Sequence, residues 1–180
     1  MKQVKRIEGT INRFLDFTKP RDLVFLEIDI TDLIEDVLFM VKPLFNRQEC
    51  VLNIRMDDNL PKIIGDRKSL AEAMINLLVN ALEAISDHGT VSILSCLDHF
   101  SLNGVMIPSV RIDISDTGQG IAPGDLDNIF DPFYTTAPAG QGSGLGLSIC
   151  YSIIKQHFGT IVADSEEGKG STFSVRLPLL

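Results

Sequence analysis

Val110-Arg111-Ile112-Asp113-Ile114-Ser115 runs straight into Asp116-Thr117-Gly118-Gln119-Gly120-Ile121, and the fold follows from how this junction is read. Apolar and polar residues alternate from Ser109 to Ser115, which predicts a strand with one buried face. The strand ends on a carboxylate beside glycines, where a ligand can approach the backbone closely. An aspartate in that position can accept a hydrogen bond from an exocyclic amine such as that of adenine. Taken alone, the segment also reads as an ordinary Asp-Gly turn. A dinucleotide phosphate loop is excluded, because Pro123 stands where the third glycine would be needed.

Working outward, Thr90 to Leu97 predicts a second strand, separated from the first by a loop around Asn103-Gly104. A long helix is expected from about Asp66 to Ser86, preceded by strands at Val24 to Ile28 and Val51 to Met56. Between those strands Thr31 or Asp32 caps a helix that runs toward Phe45, with a kink at Pro43. Downstream come a short helix near Asp125 to Phe130, an irregular stretch, a helix from about Gly144 to Phe158, and a hairpin of Thr160 to Asp164 with Thr172 to Leu177. Strands and helices mix without regular β-α-β alternation. The expected fold is therefore α+β, with one layer of sheet covered by one layer of helices.

On the 66–86 helix, Leu70, Met74, Leu77, Leu78, Ala81 and Ile85 share one face, while Glu72, Asn76, Asn80 and Glu83 form a stripe opposite. Such a stripe by itself is an exposed polar face. Asparagine is a mediocre helix former, so two of them at i and i+4 suggest that their amide oxygens are used. An amide carbonyl is a hard ligand suited to Mg²⁺, which also keeps waters and phosphates as partners.

Gly142-Ser143-Gly144-Leu145-Gly146-Leu147 opens the next helix. Backbone N–H groups at a helix start, freed of side-chain bulk, suit an anion such as phosphate. The leucines anchor the loop while the glycines face outward. Neither a Rossmann loop nor a P-loop fits: Leu147 replaces the third glycine of the one, and near Gly168-Lys169 Gly170 replaces the required Ser or Thr of the other.

In order and spacing, these segments resemble the nucleotide-binding boxes of the sensor histidine kinase catalytic domain, within the superfamily that includes gyrase, Hsp90 and MutL. The asparagine box is Asn76-Leu77-Leu78-Val79-Asn80-Ala81, and the first glycine box is Asp116-Thr117-Gly118-Gln119-Gly120. The phenylalanine box is Phe130-Asp131-Pro132-Phe133-Tyr134-Thr135-Thr136, and the second glycine box runs from Gly142 to Leu147. The ending Gly168-Lys169-Gly170-Ser171-Thr172-Phe173 is similar to that family's last turn and strand. The Phe-Tyr-Thr-Thr form is most similar to nitrogen-regulation type sensor kinases.

The resemblance implies a two-layer sandwich, a mixed sheet of about five strands under three helices. It implies that Asn80 holds Mg²⁺ between the phosphates of ATP, that Asp116 receives the adenine amine and that Thr172 lies near the base. Gly118 and Gly120 would shape the base pocket; Gly142, Gly144 and Gly146 would line the triphosphate. Asn76, Ile121, Thr136, Leu145 and Leu147 complete the implied nucleotide-binding set, with residues from about Pro132 to Gln141 as a lid. Residues 1–21 would be the end of a dimerisation hairpin's second helix and a linker, and 22–180 the ATP-binding domain. The implied partners are that hairpin, a second copy of the full-length protein, and a response regulator.

Two departures from the pattern stand out. Family members of this type often carry a lysine after the Thr-Thr pair, where this chain has Ala137, and no Lys or Arg lies between Asp131 and Gln141. Glu83 also occupies a place that is basic in many histidine kinases. No phosphoacceptor is recognisable either: His88, His99 and His157 are followed by Gly, Phe and Phe rather than an acidic residue, so each reads as a surface or packing histidine and the acceptor is expected upstream. Hydrolytic relatives place a glutamate four residues before the metal asparagine. Here that position is Asn76, which cannot take a proton from water. The expected activity is therefore phosphoryl donation from ATP to histidine, the alternatives being a nucleotide-binding regulatory module or a slow ATPase.

The bulk properties agree. The 180 residues are 44% hydrophobic and 22% charged, the make-up of one globular domain rather than a disordered or disulfide-bonded chain. A net charge of −8 without clustered basic groups excludes a nucleic-acid groove. Cys50, Cys96 and Cys150 are odd in number and far apart, which argues against a zinc site and predicts buried core thiols. No apolar run is long enough to span a membrane and no signal peptide is evident, so the expected location is cytoplasmic, as a whole protein or as the cytoplasmic part of a sensor. Val4, Ile7, Ile11, Phe14 and Thr18 recur in heptad spacing ahead of Pro20, which predicts a helix that pairs with another.

Overall fold

The protein is described by a computed structural model that covers residues 22–86, 88–102, 104–137 and 142–179. The heptad segment lies outside the described residues. The elements in chain order are β1 (Leu26–Ile28), α1 (Ile30–Gln48), β2 (Val51–Met56), β3 (Ile63–Gly65), α2 (Arg67–Ala84), β4 (Thr90–Leu102), β5 (Val105–Asp116), α3 (Gly146–Gln156), β6 (Thr160–Glu166) and β7 (Gly170–Pro178). Among the described residues five strands form one sheet in the order β2-β4-β5-β7-β6. Only β2 and β4 run parallel, which makes the sheet mixed as expected. No described helix is long and apolar enough to cross a membrane.

The alternation read in the sequence sorts the two faces of the sheet. Val91 and Ile93 of β4, Ile112 and Ile114 of β5, and Phe173, Val175 and Leu177 of β7 are buried. They pack in one core with Leu33 and Val37 of α1, Leu70, Leu77 and Leu78 of α2, and Ile153 and Ile154 of α3. Burying each such side chain contributes about 1.5–3 kcal/mol, so the three amphipathic helices have a single favourable place. The opposite face of the sheet is polar. There Asp98 receives Arg176 at 2.8 Å and Arg111 at 3.3 Å, and Arg111 lies 3.2 Å from Asp113.

Several local expectations are corrected. Asp29, not Thr31 or Asp32, caps α1: its carboxylate accepts the N–H groups of Thr31 and Asp32. The helix passes through Pro43 and continues to Gln48. Ile63–Gly65 forms an unforeseen strand, antiparallel to β1 in a separate two-stranded sheet; three residues are too few to show a period. The expected helix near Asp125 is a run of tight turns, with N–H groups of Asp125, Asn128 and Asp131 bonded three residues back. Of the cysteines only Cys150 is buried, with burial raising its thiol pKa; Cys50 and Cys96 are half-buried.

His157 is a packing residue, 2% exposed. Its Nε2 accepts the Asp66 N–H at 2.9 Å, which leaves Nδ1 to donate to the Ile153 carbonyl at 2.8 Å. The two bonds fix which ring nitrogen carries the hydrogen. Asp66 in turn caps α2 through the Ser69 N–H and accepts the N–H of Val24. The chain therefore enters the domain tied to the start of α2 and the end of α3.

Candidate functional site

A cleft of about 340 Å³ opens between the C-terminal half of α2, the loop after β5, the segment before α3 and the start of β7. Its size is that of a small-molecule site. The polar stripe of α2 is used: Asn76, Asn80 and Glu83 line the cleft.

One end is built by the 116–121 loop against the β6–β7 turn. Asp116 is 6% exposed, and burial pushes its carboxyl pKa up against the hydrogen bonds from Gly118 and Ser171 N–H groups. One carboxylate oxygen takes Gly118 N–H at 2.8 Å; the other, Oδ2, is buried without a partner. A buried unpaired oxygen on a carboxylate is costly, and a ligand amine would satisfy it. The loop has no slack. A Cβ on Gly118 would lie 2.5 Å from the Ala84 carbonyl oxygen, and one on Gly120, at φ +69°, 2.2 Å from that of Glu166.

The other end is the second glycine box. Leu145 precedes α3 without a side-chain cap, so N–H groups of the first turn have no partner from it and remain suited to an anion. Gly142, Ser143, Gly144, Gly146 and Leu147 line the cleft here, facing Tyr134, Thr135, Thr136 and Ala137. Phe133, at φ +69°, donates its N–H to the Gly144 carbonyl at 2.9 Å, and Tyr134 O–H donates to Asp125. The lid stretch 138–141 lies outside the described residues.

An asparagine stripe and an uncapped glycine-rich helix start thus share one cleft, and a strand ending in a buried carboxylate lies directly behind its wall at Ser171. The family described as histidine kinase-, DNA gyrase B- and HSP90-like ATPase matches residues 65–180. The chain belongs to this family. Among curated relatives, the sensor histidine kinase ZraS of Escherichia coli K12 is 37% identical over 178 residues, which is 99% of this chain and 36% of that protein. Sporulation kinase E of Bacillus subtilis is 33% identical over 98% of this chain and 23% of its own length. The chain therefore spans about a third or less of these relatives. The nucleotide-free catalytic domain of histidine kinase ThkA superposes with a TM-score of 0.73 at 28% identity, covering 87% of this chain and 97% of that one. A structure of ThkA in complex with the response regulator TrrA matches 99% of this chain and 49% of that one, at a TM-score of 0.79 and 26% identity.

Most of the family residues carried over by resemblance meet in the cleft: Asn76, Asn80, Gly120, Ile121, Thr136, Gly142, Gly144, Gly146 and Leu147 all line it. Four do not. Asp116 and Gly118 lie behind the lining, joined to it through Ser171 and Ala84. Leu145 is fully buried, an anchor for the loop. Thr172 points to the opposite face of the sheet, its hydroxyl 2.8 Å from that of Ser115. Its neighbour Ser171 is the residue that lines the cleft. The apolar phase of β7 carries that signal, since Phe173, Val175 and Leu177 bury on the helix side and Ser171 shares their parity while Thr172 does not.

Proposed function

We propose that this chain is the ATP-binding, phosphoryl-donating domain of a two-component sensor histidine kinase. The observation that carries this reading is the pairing of Asp116 Oδ2, buried and unpartnered just behind the Ser171 side of the cleft, with an uncapped helix start at the cleft's other end. An adenine amine fits the first and a phosphate the second. Asn80, on the cleft lining, would supply an amide oxygen of the hard type that Mg²⁺ takes alongside phosphates, and when bound the cation would neutralise phosphate charge. Ser171 takes over the base-side role expected of Thr172.

In transfer, a histidine nitrogen attacks the γ-phosphorus, the bond to the bridging oxygen breaks, and ADP leaves. The domain's part is to hold the base at Asp116, orient the triphosphate on α3's N–H groups and keep the γ-phosphate reachable. His157 is excluded as acceptor, since it is buried with both ring nitrogens bonded. The acceptor is a histidine of a dimerisation hairpin outside residues 22–179, and the partners are that hairpin, a second copy and a response regulator. Asn76, which lines the cleft where a water-activating glutamate would be needed, disfavours hydrolysis.

The test is to supply the hairpin in trans with labelled ATP and Mg²⁺. One histidine there should gain an acid-labile, base-stable phosphoramidate, while this chain alone stays unlabelled. Labelling within the chain would refute the missing acceptor, and ATP binding without transfer would leave a regulatory module.

A further inference from the structure

Ser165 of β6 sits behind the base end of the cleft, outside the nucleotide-binding boxes and outside the cleft lining. Its hydroxyl has three neighbours. It donates to the Gly170 carbonyl at 2.9 Å, accepts the Ile121 N–H at 2.8 Å, and lies 2.9 Å from the Ser171 hydroxyl. A serine has one hydrogen and two acceptor lone pairs. The Gly170 carbonyl accepts only, so it takes that hydrogen; the Ile121 N–H occupies one lone pair. The remaining contact works only if Ser171 donates to Ser165.

The consequence reaches the ligand. With its hydrogen turned inward, the hydroxyl of Ser171, 5% exposed and lining the cleft, offers the ligand lone pairs and no hydrogen. Asp116 Oδ2 is likewise an acceptor. With Ser171 on the lining and Asp116 just behind it, this end of the cleft presents acceptors, complementary to an amine donor and repulsive to an oxo group. We propose that Ser165 is a positioning residue that sets base selectivity, by fixing the proton of Ser171 so that the pocket takes a 6-amino purine and rejects a 6-oxo purine. This rests on the ATP-binding reading of the cleft.

The same hydroxyl ties the 116–121 loop to the β6–β7 turn, so its loss also lowers stability. That structural part weakens all purine nucleotides alike and leaves their ratio unchanged. The ratio is therefore the readout. ATP and ITP, which differ at the 6-position, are titrated by calorimetry with Mg²⁺ into the full chain and its variants. In Ser165→Ala the Ser171 hydrogen is free to turn into the cleft and donate to the ITP oxygen. The ATP preference should narrow about tenfold, the size expected when a site loses a fixed hydrogen-bonding pattern. Ser165→Thr, which keeps the hydroxyl, should restore it. In a Ser171→Ala background, Ser165→Ala should leave the ratio where Ser171→Ala alone puts it. Ser165→Cys, a weaker acceptor of similar shape, replaces the alanine variant if that fails to fold. An unchanged ATP:ITP ratio in Ser165→Ala, with both nucleotides weakened equally, would reduce Ser165 to a structural tie. A wild-type chain that binds neither nucleotide, or both equally, would instead bring down the ATP-binding reading and the proposal with it.

Discussion

The two ends of the cleft are built differently. At the base end the 116–121 loop is pinned from both sides: Gln119 N–H bonds the Ala84 carbonyl, Gly168 N–H bonds that of Gln119, and Ile121 N–H bonds Ser165. At the phosphate end the described ties are short-range or single. Ala137 N–H bonds Thr135 Oγ1, Leu145 N–H reaches Ser143 Oγ at 3.4 Å, and Phe133 N–H holds the Gly144 carbonyl. Charge differs as well. Among the described lining residues no Lys or Arg faces the cleft, and Glu83 is the one charged side chain. Recognition of the base is thus stored in the folded chain, whereas the triphosphate must be organised by N–H dipoles, amides and what the ligand brings with it.

Substitutions at the two ends should therefore separate. The largest effect belongs to Asp116→Asn, which should weaken ATP about a hundredfold, the scale of a lost charge-assisted hydrogen bond. Its effect on stability has the opposite sign. Burial raises the Asp116 pKa, so the ionised form penalises the empty fold; stability from this group is full below the usual carboxylate range and is lost as pH rises through the raised value. At pH 7 the empty Asn variant should melt above wild type by calorimetry, and a lower melting temperature would show that the charge serves the fold. Asn80→Ala comes next. It should remove at least tenfold of Mg²⁺-dependent tightening while binding without the cation changes little, and a Mg²⁺ response equal to wild type would rule out the metal role.

Two glycines sharpen the contrast further. Gly144 has φ +65°, and a Cβ there would lie 2.4 Å from the Phe133 carbonyl carbon, so Gly144→Ala should cost about 1–2 kcal/mol of stability or more, along with ATP binding. A Cβ on Gly146 meets nothing within 4 Å. Gly146→Ala should melt like wild type yet bind ATP several-fold more weakly while adenosine is unaffected. Equal losses for the two ligands would place Gly146 away from the phosphates. The smallest effect is a gain. Ala137→Lys adds a charge at the phosphate end of the cleft, and at about 1 kcal/mol for a solvated pair it should tighten ATP over adenosine roughly fivefold at low salt and less at high salt.

The fold was legible in the sequence where a pattern repeats. Alternation in β4, β5 and β7 and the 3.6-residue period of α2 each have enough turns to be seen, and the sandwich follows from them. Features that a single residue decides were not legible. Asp29 caps α1 because it holds extended backbone one residue before the helix's first buried side chain, Ile30, and Asp29, Thr31 and Asp32 all offer a capping side chain within four residues. β3 is held by pairing with β1, not by its own composition. In the site, Gly118, Gly120 and Gly144 have no room for a Cβ, so only glycine fits at each. Ser171 was displaced by its neighbour Thr172, since both carry a hydroxyl and only the phase of the strand distinguishes them. Ser165 had no local signal at all; its role comes from three partners, one of them 44 residues away.

The order of strands also governs when the pocket comes into being. β4 with β5 and β6 with β7 are local hairpins, but β5 joins β7 only across the long stretch that includes both glycine boxes and α3. Pairings between distant parts of a chain form slowly, because loop closure must precede the contacts that reward it. Asp116 and Ser171 lie just beyond the Ser115–Thr172 rung, at the end of that distant pairing. A partly folded chain with both hairpins made has the two halves of the base pocket but no pocket. Nucleotide therefore has nothing to hold until the slow crossing is complete, and its stabilisation falls on the unfolding rate, leaving the rate of refolding to the chain alone.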